Sequence, residues 1–304
     1  MISEGRILTC SGGIYSVETA DGVIECYAKG GFRHDNLTPV PGDAVTVREE
    51  KEKNKTLSYI VEIKDRKNVL IRPALANLDV IFSVNSVCSP DPALINIDKI
   101  LSVARHNGIE AVVVFTKADL DRNKAGELYK LYCKTGIEVI ISDNTSPTST
   151  LERIKNIMCG KLSAFSGPSG AGKSTLLNAL FPHLKLQTGE ISKKIARGKN
   201  TTRQSIFYNV SELVGALSSY VADTPGFTQL DFERFHFMEK EELADSFFEF
   251  SEYLGTCKYT KCTHRTEEGC SIVKAVEQEI IPSSRHQSYT RLYTELSKYN
   301  KWKK

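Results

Sequence analysis

The chain of 304 residues has no apolar run near the ~18 consecutive residues of a membrane-spanning helix, so no transmembrane segment is expected. Its first residues, MISEGRILTCSGG, lack the basic stretch and long apolar core of a secretion signal. A cytoplasmic protein with no membrane partner is expected on both grounds. Charge of one sign is also scarce. The net +3, from 40 Lys/Arg and 37 Asp/Glu, is too weak on its own to argue for nucleic acid. Internal repeats and low-complexity tracts are absent, which excludes a solenoid. In a reducing compartment disulfides are rare, so the eight cysteines read first as metal ligands or free thiols. Cys10, Cys26, Cys88, Cys133 and Cys159 are scattered and read as ordinary thiols.

What is present is a folded composition, 40% hydrophobic and 25% charged. The length allows two or three domains at roughly 100–200 residues each. Charge is unevenly distributed. Asp231 to Glu252 holds eight acids against Arg234 and Lys240, and Arg285 to Lys304 holds six Lys/Arg against Glu295. Such asymmetry points toward a polyanion contact.

Residues 1–70 have the texture of short strands. Gly13 to Glu18 alternates, Asp21-Gly22 is a hairpin turn, and Val23–Tyr27 follows. Val45–Val47 and Tyr59–Ile63 are further strands, with the KEKNK run at 51–55 between them as a solvated turn. About five strands in this length suit a small barrel of the OB type, with an SH3-like barrel as the alternative. After Arg72-Pro73, strands at 80–84, 111–115, 138–141, 162–165, 206–210 and 219–222 are interspersed with helical patterns at 92–107, 121–134, 147–159 and 175–180. That alternation predicts a doubly wound parallel sheet. From Phe232 the chain reads as helical and acidic, then Cys/His-rich, then helical and basic.

Gly167-Pro168-Ser169-Gly170-Ala171-Gly172-Lys173-Ser174-Thr175 follows an apolar strand and opens a helix, the context of a phosphate-binding loop. Its glycines let backbone N–H groups face phosphates. Lys173 can reach the β and γ oxygens and stabilise transition-state charge, and Ser174 can ligate Mg²⁺. This loop alone does not separate ATP from GTP. Asp223-Thr224-Pro225-Gly226 ends a strand fifty residues on; Asp223 suits the Mg²⁺ shell, and the Gly226 N–H suits the γ-phosphate. Thr116-Lys117-Ala118-Asp119 follows the strand at 111–115 and is a close relative of the guanine-reading NKxD tetrapeptide. The Asp119 carboxylate would accept from guanine N1–H and N2–H₂ but would face a bare acceptor on adenine. Thr116 stands where Asn is usual and has a shorter reach, which leaves nucleotide affinity rather than base choice in question. Ser142-Asp143-Asn144 follows the next strand, where a short second base loop belongs. The motif order is base reader, Ser142 loop, phosphate loop, switch, DTPG. A circular permutation of the ordinary GTPase order produces it, and permutation is tolerable because domain termini often lie close together.

With these motifs, and with Gly5-Arg6-Ile7, Pro41-Gly42-Asp43, Thr188-Gly189-Glu190-Ile191-Ser192, GKNTTR at 198–203 and DTPGF, nearly the whole chain resembles the small ribosomal subunit biogenesis GTPases of the RsgA family. The resemblance implies an N-terminal OB domain, a circularly permuted GTPase domain and a C-terminal zinc domain. It also implies GTP hydrolysis stimulated by the small ribosomal subunit late in that subunit's maturation. Family members usually carry GRHTT in the switch. Here Asn200 replaces the histidine, so a role proposed for that histidine does not carry over. Thr201 or Thr202 is expected to ligate Mg²⁺ in the GTP state. Phe227 occupies the position of the water-orienting glutamine of Ras-like GTPases, so intrinsic hydrolysis is expected to be slow. Gln204 and Gln229 are weak substitutes, and the water-positioning group is not identified.

Cys257-x4-Cys262-x-His264-x5-Cys270 puts three thiols and an imidazole within fourteen residues, a closed set for one structural Zn²⁺. Lys258, Lys261 and Arg265 stud this loop, and Arg291, Lys298, Lys301, Lys303 and Lys304 follow, as candidates for RNA phosphate. Tyr289, Leu292, Tyr293 and Leu296 share a helical face and are expected to pack. His34, His106, His183, His236 and His286 read as ordinary residues.

The expected architecture is an OB-type RNA-binding barrel at 1–70, a circularly permuted P-loop GTPase domain at 71–230 and a helical zinc-binding domain at 231–304. The chain is expected to act as a monomer with GTP/GDP and with the small ribosomal subunit and its rRNA. Two rivals are a nucleotide-using enzyme acting on a small molecule, for which no acid/base motif appears, and an RNA scaffold with an idle nucleotide site.

Overall fold

In a computed structural model of the chain, the alternation at 13–18 is the second strand, and a ten-residue strand not expected from the sequence precedes it. β1 (Ile2–Ser11) runs the length of the barrel and pairs with both β2 (Ile14–Thr19) and β4 (Ala44–Glu52). With β3 (Gly22–Ala28) and β5 (Lys55–Ile63) they close a barrel of order β1-β2-β3-β5-β4. The β3–β5 pair is parallel and the others antiparallel, which is the Greek-key closure of the OB type. Ile7, Tyr15, Val17, Cys26, Val45, Val47 and Ile60 fill its interior. β4 and β5 extend well into the KEKNK run, further than its charge suggests. The structure describes residues 2–29, 32, 37–52, 55–143, 148–182, 205–223 and 230–299.

The Pro41-Gly42-Asp43 turn locks the barrel's lower end. Gly42 has φ +96°, and a Cβ there would overlap the Ala76 carbonyl. Asp43 is fully buried. It accepts from the Val40 N–H at 2.8 Å and from Arg66 through both carboxylate oxygens at 2.7 Å. A short ribbon of β6 (Val69–Ile71) and β7 (Ala74–Ala76) follows.

Six strands then form one sheet of order β10-β9-β8-β11-β13-β12. They are β8 (Val80–Ser86), β9 (Glu110–Thr116), β10 (Glu138–Ile141), β11 (Leu162–Ser166), β12 (Ile206–Asn209) and β13 (Tyr220–Asp223). β9–β10 and β11–β13 are parallel, and β12 is an antiparallel edge. β8 and β11 are buried along their whole length, as strands covered on both faces are. Helices α1 (Leu94–His106), α2 (Arg122–Cys133), α3 (Thr148–Met158) and α4 (Lys173–Leu180) alternate with the strands. Gly108, at φ +65°, stops α1, and the Asp121 carboxylate caps α2 by accepting from the Lys124 N–H at 2.9 Å. A single helical turn, α5 (Ser211–Val214), precedes β13.

Past this sheet the acidic stretch is not the helix its composition suggests. Its described residues form turns and two short 3₁₀ segments, Ala244–Ser246 and Phe248–Phe250. Phe232, Phe247 and Phe250 are buried within it, and the Phe247 and Phe250 rings stack at 5.2 Å. Helices α6 (Ser271–Glu277) and α7 (Ser283–Lys298) end the described chain. Tyr289, Leu292, Tyr293 and Leu296 are buried on α7, as their spacing predicts.

The chain divides into two compact units, one of residues 1–80, 154–165 and 176–226, the other of 81–153, 166–175 and 227–304. The base-reading and phosphate loops fall in the second unit, together with the Cys/His cluster.

Candidate functional site

The phosphate loop is shaped by three glycines with positive φ. Gly167 is at +156°, Gly170 at +83° and Gly172 at +80°. A Cβ on Gly167 would overlap the Val84 carbonyl, so only glycine lets the loop leave β11 beside β8. A Cβ on Gly172 would stand 3.2 Å from Thr116 Oγ1. Pro168 and Ala171 close the turn through the Ala171 N–H and the Pro168 carbonyl at 3.2 Å. Ser169, Ser174 and Thr175 are exposed, Lys173 is half-buried, and α4 opens at Lys173, which puts the helix N-terminus at the loop.

The base-reading segment is built on the end of β9. Thr116 is buried and its hydroxyl donates to the Ala171 carbonyl at 2.6 Å. A threonine hydroxyl has one hydrogen, so this bond commits it; the Asn85 carbonyl lies further off, at 3.4 Å. Thr116 thus ties the base loop to the phosphate loop from below. Lys117 takes a left-handed conformation, φ +57°, which turns the chain sharply out of the strand. Its Nζ donates to the Ser89 carbonyl at 2.5 Å. Ala118 is buried, and its N–H donates to the Ser142 carbonyl at 3.2 Å. Ser142 in turn donates its N–H to the Phe115 carbonyl at 2.8 Å. The Ser142 loop is therefore seated on the backbone of the TKAD segment. Asp119, half-buried, is the middle residue of the short 3₁₀ turn Ala118–Leu120.

The segment Ser86 to Asp91 is a neighbour of this site that sequence reasoning missed. It supplies the Ser89 carbonyl to Lys117, and Pro90 Cδ lies 3.3 Å from where a Gly170 Cβ would be. The Ser86 hydroxyl closes the segment by donating to the Pro90 carbonyl at 2.6 Å. A serine- and proline-rich turn after a buried strand was its only signal.

Asp223 is the last residue of β13 and is paired in register with Ile206. Thr188 to Ser192, the GKNTTR segment with Asn200, Thr201 and Thr202, and Gln204, Gly226, Phe227 and Gln229 lie outside the described residues.

Cys257, Cys262, His264 and Cys270 come together, with all four ligand atoms within 4.8 Å of one another. Cys257 Sγ lies 3.8 Å from Cys270 Sγ and 3.5 Å from His264 Nδ1, and Cys270 Sγ lies 3.6 Å from the same nitrogen. Tetrahedral Zn²⁺ with ordinary bond lengths would set S–S at about 3.8 Å and S–N at about 3.6 Å, the spacing that Cys257, His264 and Cys270 already have, with Cys262 as the fourth donor. Glu267 organises the loop. Its carboxylate accepts from the Thr263 hydroxyl and from the backbone N–H groups of Thr263, Arg265 and Thr266. Burial works against this carboxylate, but these donors prevail and hold it at about 2. His286, read from sequence as ordinary, supports the cluster. Its Nε2 lies 2.7 Å from the His264 carbonyl, which can only accept, so that nitrogen carries the proton. Tyr289 donates to the Thr263 carbonyl at 2.8 Å. Lys258 and Lys261 are exposed, whereas Arg265 is half-buried over the Tyr293 ring.

No helix among the described residues is long and apolar enough to cross a membrane. Residues 4–60 match the model of the RsgA N-terminal domain, and residues 63–233 match that of the RsgA GTPase. A protein of Alkaliphilus metalliredigens named small ribosomal subunit biogenesis GTPase RsgA is 38% identical over 302 residues, covering 99% of this chain and 100% of its own. A relative of the same name from Caldanaerobacter subterraneus subsp. tengcongensis is 38% identical over 299 residues, covering 98% and 97%. Among solved structures, YloQ, described as a circularly permuted GTPase, superposes with TM-score 0.74 at 30% identity, over 98% of this chain and 96% of its own. YjeQ from Thermotoga maritima gives TM-score 0.78 at 30% identity, over 99% and 100%. With the TKAD segment ahead of the GPSGAGKST loop and this likeness along its whole length, the chain belongs to the RsgA family of circularly permuted GTPases.

Proposed function

We propose that this GTPase works on the small ribosomal subunit, binding it late in maturation and hydrolysing GTP when the subunit accelerates an otherwise slow reaction. The observation that carries the reading is the full-length likeness to relatives named for small-subunit biogenesis, in a chain whose base and phosphate loops are tied through Thr116 and Ala171. Guanine is read by Asp119, with Lys117 and Ala118 shaping its loop. The phosphates lie on Gly167 to Thr175, with Gly226 at the γ-phosphate. Ser174, Asp223 and one of Thr201 or Thr202 would hold Mg²⁺, which neutralises charge between the β and γ oxygens. Lys173 stabilises charge on the transferring group. Phe227 cannot orient water, and Asn200 replaces the usual histidine, so the subunit supplies or orders what is missing.

The barrel at 1–70 and the zinc-binding region at 231–304 grip ribosomal RNA on either side of the GTPase domain in sequence. Zn²⁺ at Cys257, Cys262, His264 and Cys270 is structural, since all four positions are filled by protein. The protein acts in the cytoplasm as a monomer. Phosphate release from GTP and from ATP, with and without purified small subunits, tests the reading. Stimulation by the subunit with GTP alone is the expected result. Turnover that ignores the subunit would overturn it.

A further inference from the structure

We propose that the outer wall of the barrel carries a stacking platform for unpaired RNA bases, centred on Tyr27 and Tyr59. The barrel interior is already filled by the seven residues named above, which alternate with outward-facing ones along each strand. The registers align the outward residues into a row across the strands. Ile14 stands opposite Tyr27, Tyr27 opposite Tyr59, Tyr59 opposite Arg48, and Arg48 opposite Ile2. The two tyrosine rings are neighbours, 6.2 Å between centroids. Tyr27 is 40% exposed, Ile14 36% and Ile2 62%. Cross-strand packing alone would explain one ring pair on a strand surface. It does not explain why aliphatic residues extend the same row into solvent on both sides.

The occupant follows from the chemistry of the row. Lys29 Nζ lies 5.9 Å from the Tyr59 ring centroid, and exposed Arg48 adjoins the same ring on β4. Flat rings flanked by cations suit a strand whose bases stack and whose phosphates need neutralising. Glu50 holds Lys29 at 2.6 Å and Glu25 stands two residues from Tyr27, so the phosphates run on the Arg48 side and the bases reach toward Tyr27. Stacking does not depend on base identity, so the platform takes single-stranded RNA of any sequence and rejects fully paired RNA. The proposal rests on the ribosomal reading above for its biological target, but the recognition chemistry stands apart from it.

Fluorescence anisotropy of the full chain with a twelve-nucleotide single-stranded RNA and with a paired hairpin tests the platform. Wild type should prefer the single strand. Tyr27→Ala and Tyr59→Ala should each weaken that binding about tenfold. Tyr27→Phe and Tyr59→Phe, which keep the rings and guard against a folding defect, should bind like wild type. Arg48→Gln should weaken binding and flatten its salt dependence. A wild type that does not bind the single strand, or alanine variants that bind it unchanged, would overturn the platform. Co-sedimentation with small subunits separates the two readings. Wild type that fails to co-sediment, while the oligonucleotide results hold, counts against the ribosomal reading alone. Alanine variants that lose the subunit but keep the oligonucleotide would assign the wall to a ribosomal protein and overturn the RNA assignment.

Discussion

The barrel and the C-terminal region are joined to the GTPase strands and helices by opposite means. The barrel meets β12 and β13 through the buried Phe207 ring, which lies beside Gly42, and through a few partly exposed polar contacts. Tyr220 donates to Glu18 at 2.5 Å, Asn209 Nδ2 reaches the same carboxylate at 3.0 and 3.2 Å, and Arg6 lies over the Tyr220 ring at 5.4 Å. The C-terminal region meets α1 through a buried ionic knot. Arg285 of α7 is enclosed between Asp98 of α1, at 2.5 Å, and Glu249, at 2.6 and 3.2 Å. Tyr132 donates to Asp98 at 3.0 Å, and the Phe247 ring lies 4.5 Å from the guanidinium. Burial pushes the Asp98 carboxyl up, against the pull of Arg285. Exposed contacts are weak and easily exchanged, while a buried charge without its partner is severely destabilising. The second attachment is therefore all-or-none, and the first is adjustable.

Metal removal should give the largest effect. Stripping the Cys/His cluster with a chelator, or Cys270→Ser, should collapse the loop that Thr263 and His264 present to α7, because binding energies at structural zinc sites are of order 10 kcal/mol. Loss of hydrogen-exchange protection across 257–296, with guanine nucleotide binding retained, is the expected pattern. Arg285→Ala comes next, at about 3–5 kcal/mol of stability in chemical denaturation, since it strands Asp98 and Glu249 in the interior. Arg285→Met together with Asp98→Asn and Glu249→Gln should recover much of that loss. No recovery would mean that the knot holds by shape rather than by charge.

A further measurement separates these attachments from the nucleotide site. Thr116→Val should leave the Ala171 carbonyl without its donor, at about 1–3 kcal/mol, read as roughly a tenfold loss of GDP affinity with the α1–α7 attachment unaffected. Thr116→Asn should restore most of it. Tyr220→Phe should give the smallest effect, about 0.5–1.5 kcal/mol. Burial, helped by Glu18, pushes the Tyr220 hydroxyl up to about 12. The ordinary tyrosine value is about 10. Since the neutral form is favoured in the fold, its contribution is intact below about pH 10 and is lost as pH rises toward 12. A pH-independent difference between wild type and Tyr220→Phe over that range would show that Tyr220 acts by packing alone.

Much of this was legible in the chain because motif chemistry is local. GPSGAGKST declares its turn through glycine spacing, and the Cys/His set lies within one short loop. TKAD was legible as a motif, but the direction of the Thr116 hydroxyl was not, since Ala171 is 55 residues away. The ionic knot was hidden for the same reason. Asp98 and Arg285 are 187 residues apart, and an acid within an apolar helix face looks like a lapse in the pattern until its partner is in place. At the end of the chain Lys298 and Arg291, candidates for phosphate, stand in exposed pairs with Glu233 at 2.8 Å and Glu295 at 3.3 Å, and the first of these joins residues 65 apart. The acidic stretch misled: it reads as helical, but its described residues form turns and short 3₁₀ segments.

The Thr116–Ala171 bond is blind to the direction of reading. It joins two loop ends in space and would form whichever of them the ribosome synthesised first. Evolution could therefore move the opening of the chain around the domain as freely as one moves the clasp on a bracelet, provided that no cut fell between a loop and the strand presenting it. A site held by such transverse ties keeps its shape while its genetic order is shuffled, and the new ends become free places to append other modules.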